Sequence, residues 1–95
     1  MDNINKDEII LVSGGSSVKN VAVCLVKFLE KSAAGEVELR AMGASACNQM
    51  IKAVAVARGM VGMQGYDLCL RVGFCEANIG EERKTALRAI AFIKN

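Results

Sequence analysis

The chain has 95 residues, of which 53% are hydrophobic and only 4% aromatic, and it contains neither proline nor histidine. The high apolar content excludes an intrinsically disordered protein, because disorder requires low hydrophobicity. The formal net charge of +2 gives no compositional indication of nucleic-acid binding, so any basic surface must come from local clustering. A domain of this size buries only about 60–68% of its unfolded-chain surface. We therefore expect part of its apolar surface to contact a partner.

The sequence has no pattern typical of a membrane span or a metal site. The longest stretch without a charged residue, Ala41 to Ile51, has eleven residues, whereas a membrane-spanning helix needs roughly 18. The four cysteines lack the close spacing of zinc or redox pairs, so we expect reduced thiols, no metal and no cofactor. The polar first residues do not resemble a secretory leader. We expect a cytoplasmic protein with a flexible segment at residues 1–7 and one domain at residues 8–95.

The first part of the chain predicts a strand followed by a helix. Residues Glu8 to Val12 form a short, branched apolar run that ends in a loop rich in serine and glycine, which is typical of a buried strand. A helix begins near Val18, with Ser16 or Ser17 as its cap, because apolar residues then recur every three or four positions. Gly35 suits the left-handed position that follows a helix end.

The middle of the chain repeats this pattern. Residues Glu36 to Met42 alternate between apolar and charged side chains, which predicts a strand with one covered face. The second helix is predicted from about Ser45 to Arg58, closed by Gly59. Because the segment from Ala53 to Ala57 is apolar all round, we expect a second subunit to cover part of it.

The last part of the chain predicts a hairpin. Alternating segments at Tyr66 to Glu76 and Lys84 to Lys94 flank a turn around Gly80. With right-handed crossovers, the order strand, helix, strand, helix, strand, strand places both helices on one face of the sheet. We expect the charged residues of the other face to form ion pairs across strands. These residues are Arg40, Arg71 and Arg88 with Glu36, Glu38 and Asp67.

The segment from Gly43 to Gly59, GASACNQMIKAVAVARG, resembles the signature of the stage V sporulation protein S family. Shorter agreements occur at Ser16 to Ala22, Gly65 to Leu68 and Gly80 to Arg83. The resemblance covers about Glu8 to Ile93. It implies a bacterial protein with an Alba-like α+β fold of two layers, βαβαββ, with a mixed four-stranded sheet and two helices on one face.

The chain departs from the family pattern at three positions. Ser45 and Cys47 stand where glycine and a branched apolar residue are expected, and Lys84 is an apparent insertion of one residue. An insertion at this point predicts a shift or bulge in the last strand.

The resemblance further implies a sporulation regulatory protein that binds nucleic acid as a homodimer or higher oligomer. In Alba-type dimers, the loop after the first strand, the start of the second helix and the hairpin face the nucleic acid. Both DNA and RNA remain open as partners. The residues of this chain in those elements are Lys19, Asn20, Asn48, Gln49, Lys52, Arg83 and Lys84.

The residue types partly support a phosphate-binding edge. Both helices are predicted to follow the carboxyl ends of strands, so their amide-rich N-termini should share one edge of the sheet. Ser16, Ser17 and Ser45 would add hydroxyl groups there. These serines are equally well explained as ordinary helix caps, and the sequence leaves both roles open.

The hairpin and the rest of the chain limit the functional choices. Glu81 and Glu82 offset Arg83 and Lys84, although an arm that enters a groove should be positive. The scattered aromatic residues disfavour single-strand stacking. Without histidine or a P-loop lysine, we expect no enzymatic activity. The alternative function is a self-assembling structural or interaction protein that does not bind nucleic acid directly.

Overall fold

Four strands and two helices follow the chain order expected from the sequence. The computed structural model describes residues 9–94, so the flexible segment expected at residues 1–7 lies outside the described residues. Within residues 9–94, the predicted α+β class with the order βαβαββ is confirmed, and no helix is long and apolar enough to cross a membrane. The elements are β1 (Ile9–Val12), α1 (Val18–Lys31), β2 (Glu36–Ala41), α2 (Ala44–Gly62), β3 (Asp67–Ile79) and β4 (Glu82–Lys94).

The strands form one mixed sheet in the order β1-β2-β4-β3. β1 runs parallel to β2, while β4 runs antiparallel to both β2 and β3. The two edges of the sheet are therefore β1 and β3. The β3–β4 ladder continues without interruption from Asp67 opposite Lys94 to Ile79 opposite Glu82. The bulge expected at Lys84 is absent from this ladder.

Alternate residues of the strands face the helices and build the core. Val37, Leu39 and Ala41 of β2 are buried, as their alternation with charged residues predicts. Leu25 of α1 and Met50 of α2 are fully buried in the same cluster. Both helices thus pack on one face of the sheet, where burial of apolar surface is the dominant favourable contribution to folding.

α2 is longer than predicted. It continues to Gly62 and includes Gly59, where the sequence predicted its end. Glycine inside a helix costs about 1 kcal/mol relative to alanine. The additional turn places Val61 in the core, and fully burying a valine contributes about 1.5–3 kcal/mol, which offsets that cost. The glycine with a left-handed backbone in this segment is Gly65, with φ +88°.

The apolar segment of α2 is buried on one side only. Ala53, Val54 and Ala57 belong to the core, whereas Ala55 and Val56 are exposed. Because the segment is apolar all round, the sequence predicted burial on more than one side, with a second subunit as the further cover. In a single chain the side of α2 with Ala55 and Val56 is therefore left uncovered.

Candidate nucleic-acid interface

One edge of the sheet brings together the loop after β1, the start of α2 and the β3–β4 hairpin. Val12, Ala41, Leu87 and Phe74 lie side by side in the last four-stranded row. β1 and β2 end at this row, and the chain leaves them to enter α1 and α2. β3 and β4 continue beyond it. The two helix starts therefore share one edge, as the sequence predicts, and the hairpin extends from the same edge.

The hairpin projects beyond the body of the domain. The five β3–β4 pairs from Cys75 opposite Ala86 to Ile79 opposite Glu82 have no partner on β2. At about 3.4 Å per residue, they extend the sheet by roughly 17 Å. The turn contains Gly80 with φ +63°, a backbone conformation that glycine adopts without steric cost. The result is an arm with two accessible faces.

The loop between β1 and α1 packs against the first turns of α2. The Gln49 side chain donates a hydrogen bond from Nε2 to the Ser16 carbonyl oxygen at 2.8 Å. A Cβ atom on Gly14 would lie 2.6 Å from the Ser45 hydroxyl oxygen, so a larger residue would have to displace Ser45. Within the loop, the Ser13 backbone N–H donates to Ser16 Oγ at 2.9 Å. Ser16 and Gln49 therefore hold the two helix starts together.

The three predicted serines differ in their structural roles. Ser17 caps α1, because its side chain accepts a hydrogen bond from the Asn20 backbone N–H at 3.2 Å. Ser16 closes the loop, and Ser45 lies in the first turn of α2. The N-cap of α2 is Gly43, and no side chain caps this helix. The capping role is thus confirmed for Ser17, whereas the first amides of α2 are accessible to water or an anion.

Four of the predicted cationic and amide residues near the helix starts are exposed. Lys19 and Asn20 lie in the first turn of α1, and Asn48 and Lys52 lie in the first half of α2. Neither lysine forms an ion pair with another residue in the range 9–94. Their charges are therefore not compensated within that range.

The two predicted cations of the hairpin lie on opposite faces. Because successive side chains of a strand alternate, Arg83 lies on the helix side and Lys84 lies with Arg88 on the side away from the helices. Arg83 Nε is 3.8 Å from Glu76 Oε1, and Lys84 Nζ is 3.6 Å from Glu82 Oε1. Exposed ion pairs of this kind stabilise weakly. The sequence grouped these two cations, but they cannot contact a ligand from the same side.

The sheet face away from the helices, here called the open face, carries a network of ion pairs. Glu38 Oε2 accepts hydrogen bonds from Arg40 Nε at 2.7 Å and Arg88 Nε at 2.9 Å. Arg71 Nη2 donates to Glu36 Oε2 at 2.8 Å. The predicted pairing across strands is therefore confirmed for Arg88 and Arg71, while Arg40 pairs within its own strand.

Asp67 departs from the predicted open-face pairing. Its carboxylate accepts a hydrogen bond from Arg58 Nε of α2 at 2.8 Å, and this bond lowers the pKa of Asp67 below its ordinary value. At Glu38, burial alone would raise the pKa, but the hydrogen bonds and charges of Arg40 and Arg88 outweigh burial and lower the pKa. Both carboxylates are therefore ionised at neutral pH.

Exposed apolar residues lie beside β3. On the helix side of β3, Leu68 is buried, whereas Val72 and Phe74 farther along are exposed, Phe74 to 79%. Ile51 of α2 is also exposed. It lies two helical turns before Arg58, which bonds β3, and therefore on the same side of α2. We call Ile51, Val72 and Phe74 the β3 patch.

A surface cavity of about 500 Å³ lies beside the end of α1 and the start of β2 and reaches the open face at Arg88. Phe28 and Val37 contribute to its lining, as does Ser32, whose Oγ bonds both the N–H and the carbonyl oxygen of Glu36. None of the predicted binding residues lines this cavity. Within residues 9–94, no cluster of three or more His, Cys, Asp or Glu residues could hold a metal ion.

Two comparisons relate the chain to known proteins. The family model described as Stage V sporulation protein S (SpoVS) matches residues 8–94. Among solved structures, the fold is similar to that of Alba from Thermoplasma volcanium, with a TM-score of 0.59 and 12% sequence identity, covering 93% of this chain and 100% of that chain. At this identity the likeness shows the fold alone. The Alba-like fold implied by the sequence resemblance is confirmed.

Proposed function

The chain belongs to the stage V sporulation protein S family, and from this we propose that it is a sporulation regulator that binds nucleic acid as a homodimer. The proposed binding surface is the edge with the two helix starts and the hairpin. The meeting of these three elements at one edge is the observation that carries the proposal. Helix N-termini present amide groups and a favourable dipole to phosphate, and the projecting hairpin lengthens the surface.

Exposed cations and amides supply the contacts in this proposal. Lys19 and Lys52 provide charge for phosphate groups, and Asn20 and Asn48 provide hydrogen-bond donors for phosphate or sugar. We assign Ser16 and Gln49, which are bonded to each other, to positioning the loop. The remaining members of the proposed contact set are Ser17, Ser45, Arg83 and Lys84.

A second copy of the chain is the proposed occupant of the β3 patch. The patch contains three exposed large apolar side chains. Burying them against a partner would gain hydrophobic free energy, and exposed apolar patches commonly mark interaction sites. A two-fold dimer would apply the patch to itself. It would also double the number of helix starts and double the formal charge of +2 per chain, which favours binding to a polyanion.

Fluorescence anisotropy across a salt series tests the binding surface. We expect duplex DNA, single-stranded DNA or RNA to bind with an affinity that falls steeply with salt. The double variant Lys19→Ala, Lys52→Ala should lower the salt slope on duplex DNA by roughly 2 for each subunit that contacts the DNA, because each lost phosphate contact removes about 0.9. The variant Lys27→Ala, Lys94→Ala removes the same charge away from this edge and should leave the slope nearly unchanged. Absence of binding to all three nucleic acids at low salt would refute the proposal.

The second candidate function is self-assembly without direct nucleic-acid binding. It is favoured by the β3 patch and by β3 itself, a strand of 13 residues whose outer edge is unpaired within residues 9–94, because exposed edge strands promote association. Light scattering should give a dimer for the wild type and a monomer for Phe74→Ser. Leu11→Ser, at a residue 76% exposed on the other edge strand, should remain a dimer. A dimer or polymer that binds none of the nucleic acids would support this candidate, and a monomer at every concentration would exclude it.

A further inference from the structure

Arg40 and Arg88 form a pair of like charges at the base of the hairpin. They lie directly opposite each other on β2 and β4, on the open face. Like charges in this position repel. Glu38 reduces the repulsion, because one of its oxygens accepts hydrogen bonds from the Nε atoms of both arginines. One carboxylate between two guanidinium groups leaves one positive charge uncompensated among residues 9–94.

The bonds to Glu38 leave the ends of both guanidinium groups accessible. Each arginine bonds Glu38 through Nε alone, and its terminal nitrogens have no hydrogen-bond partner among residues 9–94. The side chains of Arg40 and Arg88 are 38% and 47% exposed, whereas that of Glu38 is 17% exposed. A planar guanidinium with free terminal nitrogens matches the oxygens of a phosphate. Glu38 therefore positions both guanidinium groups and leaves their terminal nitrogens open to a ligand.

The open face between this pair and the hairpin tip has small side chains. Gly73 lies opposite Arg88, and a Cβ atom there would meet no atom within 4 Å. The next pair on this face toward the tip is Cys75 opposite Ala86, and Lys84 lies in the pair after that. Arg88 and Lys84 are four positions apart, which is about 14 Å along the strand. The surface is thus a shallow strip with cations at both ends.

We propose that Arg40, Arg88 and Lys84 form a cationic track that binds phosphate groups of a nucleic-acid backbone lying along the open face of the hairpin. This inference rests on the proposed nucleic-acid binding and adds Arg40 and Arg88 to its contact set. The small side chains add little height to the strip between the cations, where Ala86 is itself buried. The β3 patch lies on the other face, where a second copy would cover the base of the hairpin, so the open face is the side of that base left for the ligand. The exposed pair of Lys84 with Glu82, at 3.6 Å, is weak enough to exchange for phosphate.

Anisotropy with duplex DNA at about 0.1 M salt tests the track. For each subunit that contacts the DNA, Arg88→Gln should weaken binding roughly 8-fold and lower the salt slope by about 0.9, the value for one phosphate contact. Arg40→Gln with Arg88→Gln should weaken binding roughly 60-fold for each such subunit, because two contacts per chain are lost. Arg58→Gln is the matched control, since Arg58 also bonds a carboxylate, at 2.8 Å, but near the start of β3. It should leave affinity and slope unchanged.

A triple variant keeps the test valid if the double variant does not fold. Glu38→Gln added to the two arginine substitutions removes the unpaired carboxylate and places a neutral amide at all three positions. Circular dichroism confirms its fold before binding is measured. If Lys19→Ala, Lys52→Ala weakens binding but the triple variant and Arg88→Gln keep wild-type affinity and slope, the track is wrong and the proposed function stands. If the wild type binds no nucleic acid, both fail.

Discussion

The two faces of the sheet are built from alternate residues of the same strands, but hydrophobic burial stabilises one face and ion pairs stabilise the other. On β2, Leu39 faces the helices and is fully buried, whereas its neighbours Glu38 and Arg40 lie on the open face in an ion-paired network. The covered face excludes water and gains hydrophobic free energy, while the open face gains little from its partly solvated charges. The covered face should therefore determine stability, and the open face is free to carry binding groups.

The largest expected effect comes from the covered face. Leu39→Ala should lower the free energy of unfolding by about 2–5 kcal/mol, because it removes a fully buried side chain and leaves a cavity. Urea denaturation measures the loss. Ile90→Ala is the control, at a partly exposed residue of the open face, and should cost clearly less. Equal losses at both positions would mean that a partner already covers the open face in solution.

Residue patterns predict the covered face better than the open face. The alternation of Glu36 to Ala41 and the three- and four-residue spacing of α1 identify the core side of these elements directly. The sharing of Glu38 by Arg40 and Arg88 depends on β4 lying beside β2, a pairing between segments about fifty residues apart. Alternation assigns a residue to a face but does not give its cross-strand neighbour.

The candidate edge was also predictable only in part. The shared location of the two helix starts is predictable from the ends of β1 and β2. The capping role of Ser17 is predictable from its position directly before α1. The contact of Gly14 with Ser45 is not predictable in this way, because it depends on how the loop packs against a helix that is distant in sequence. The extension of α2 past Gly59 was missed for a similar reason, since burial of Val61 outweighs a local stop signal.

An acid titration should give a smaller effect that comes from the open face. Because the pKa of Glu38 is lower in the folded chain than in the unfolded chain, its contribution to stability is present above about pH 4.3, the ordinary glutamate pKa. The contribution is lost as the pH falls through the lower folded value. Glu38→Gln should flatten the fall in unfolding free energy over this acid range. Glu81→Gln, at an exposed residue of the hairpin turn, is the matched control, and an equal flattening there would contradict the assignment.

The smallest expected effect is the coupling between Arg71 and Glu36 on the open face. Both side chains are about half exposed, so a double-mutant cycle with alanine should give only about 0.2–1 kcal/mol, decreasing with added salt. Arg71 also lies over the Phe92 ring, 4.5 Å from its centroid. Arg71→Ala therefore loses this contact as well, but the cycle with Glu36 cancels it.

The same cycle for Arg88 and Glu38 should give a larger coupling, because Glu38 is less exposed and bonds two arginines. If the Arg71 pair coupled as strongly and resisted salt, the open face would be shielded from water as the covered face is. That outcome would mean that the open face packs against another molecule in solution, and a backbone of phosphates could then reach Arg40 and Arg88 only by displacing it.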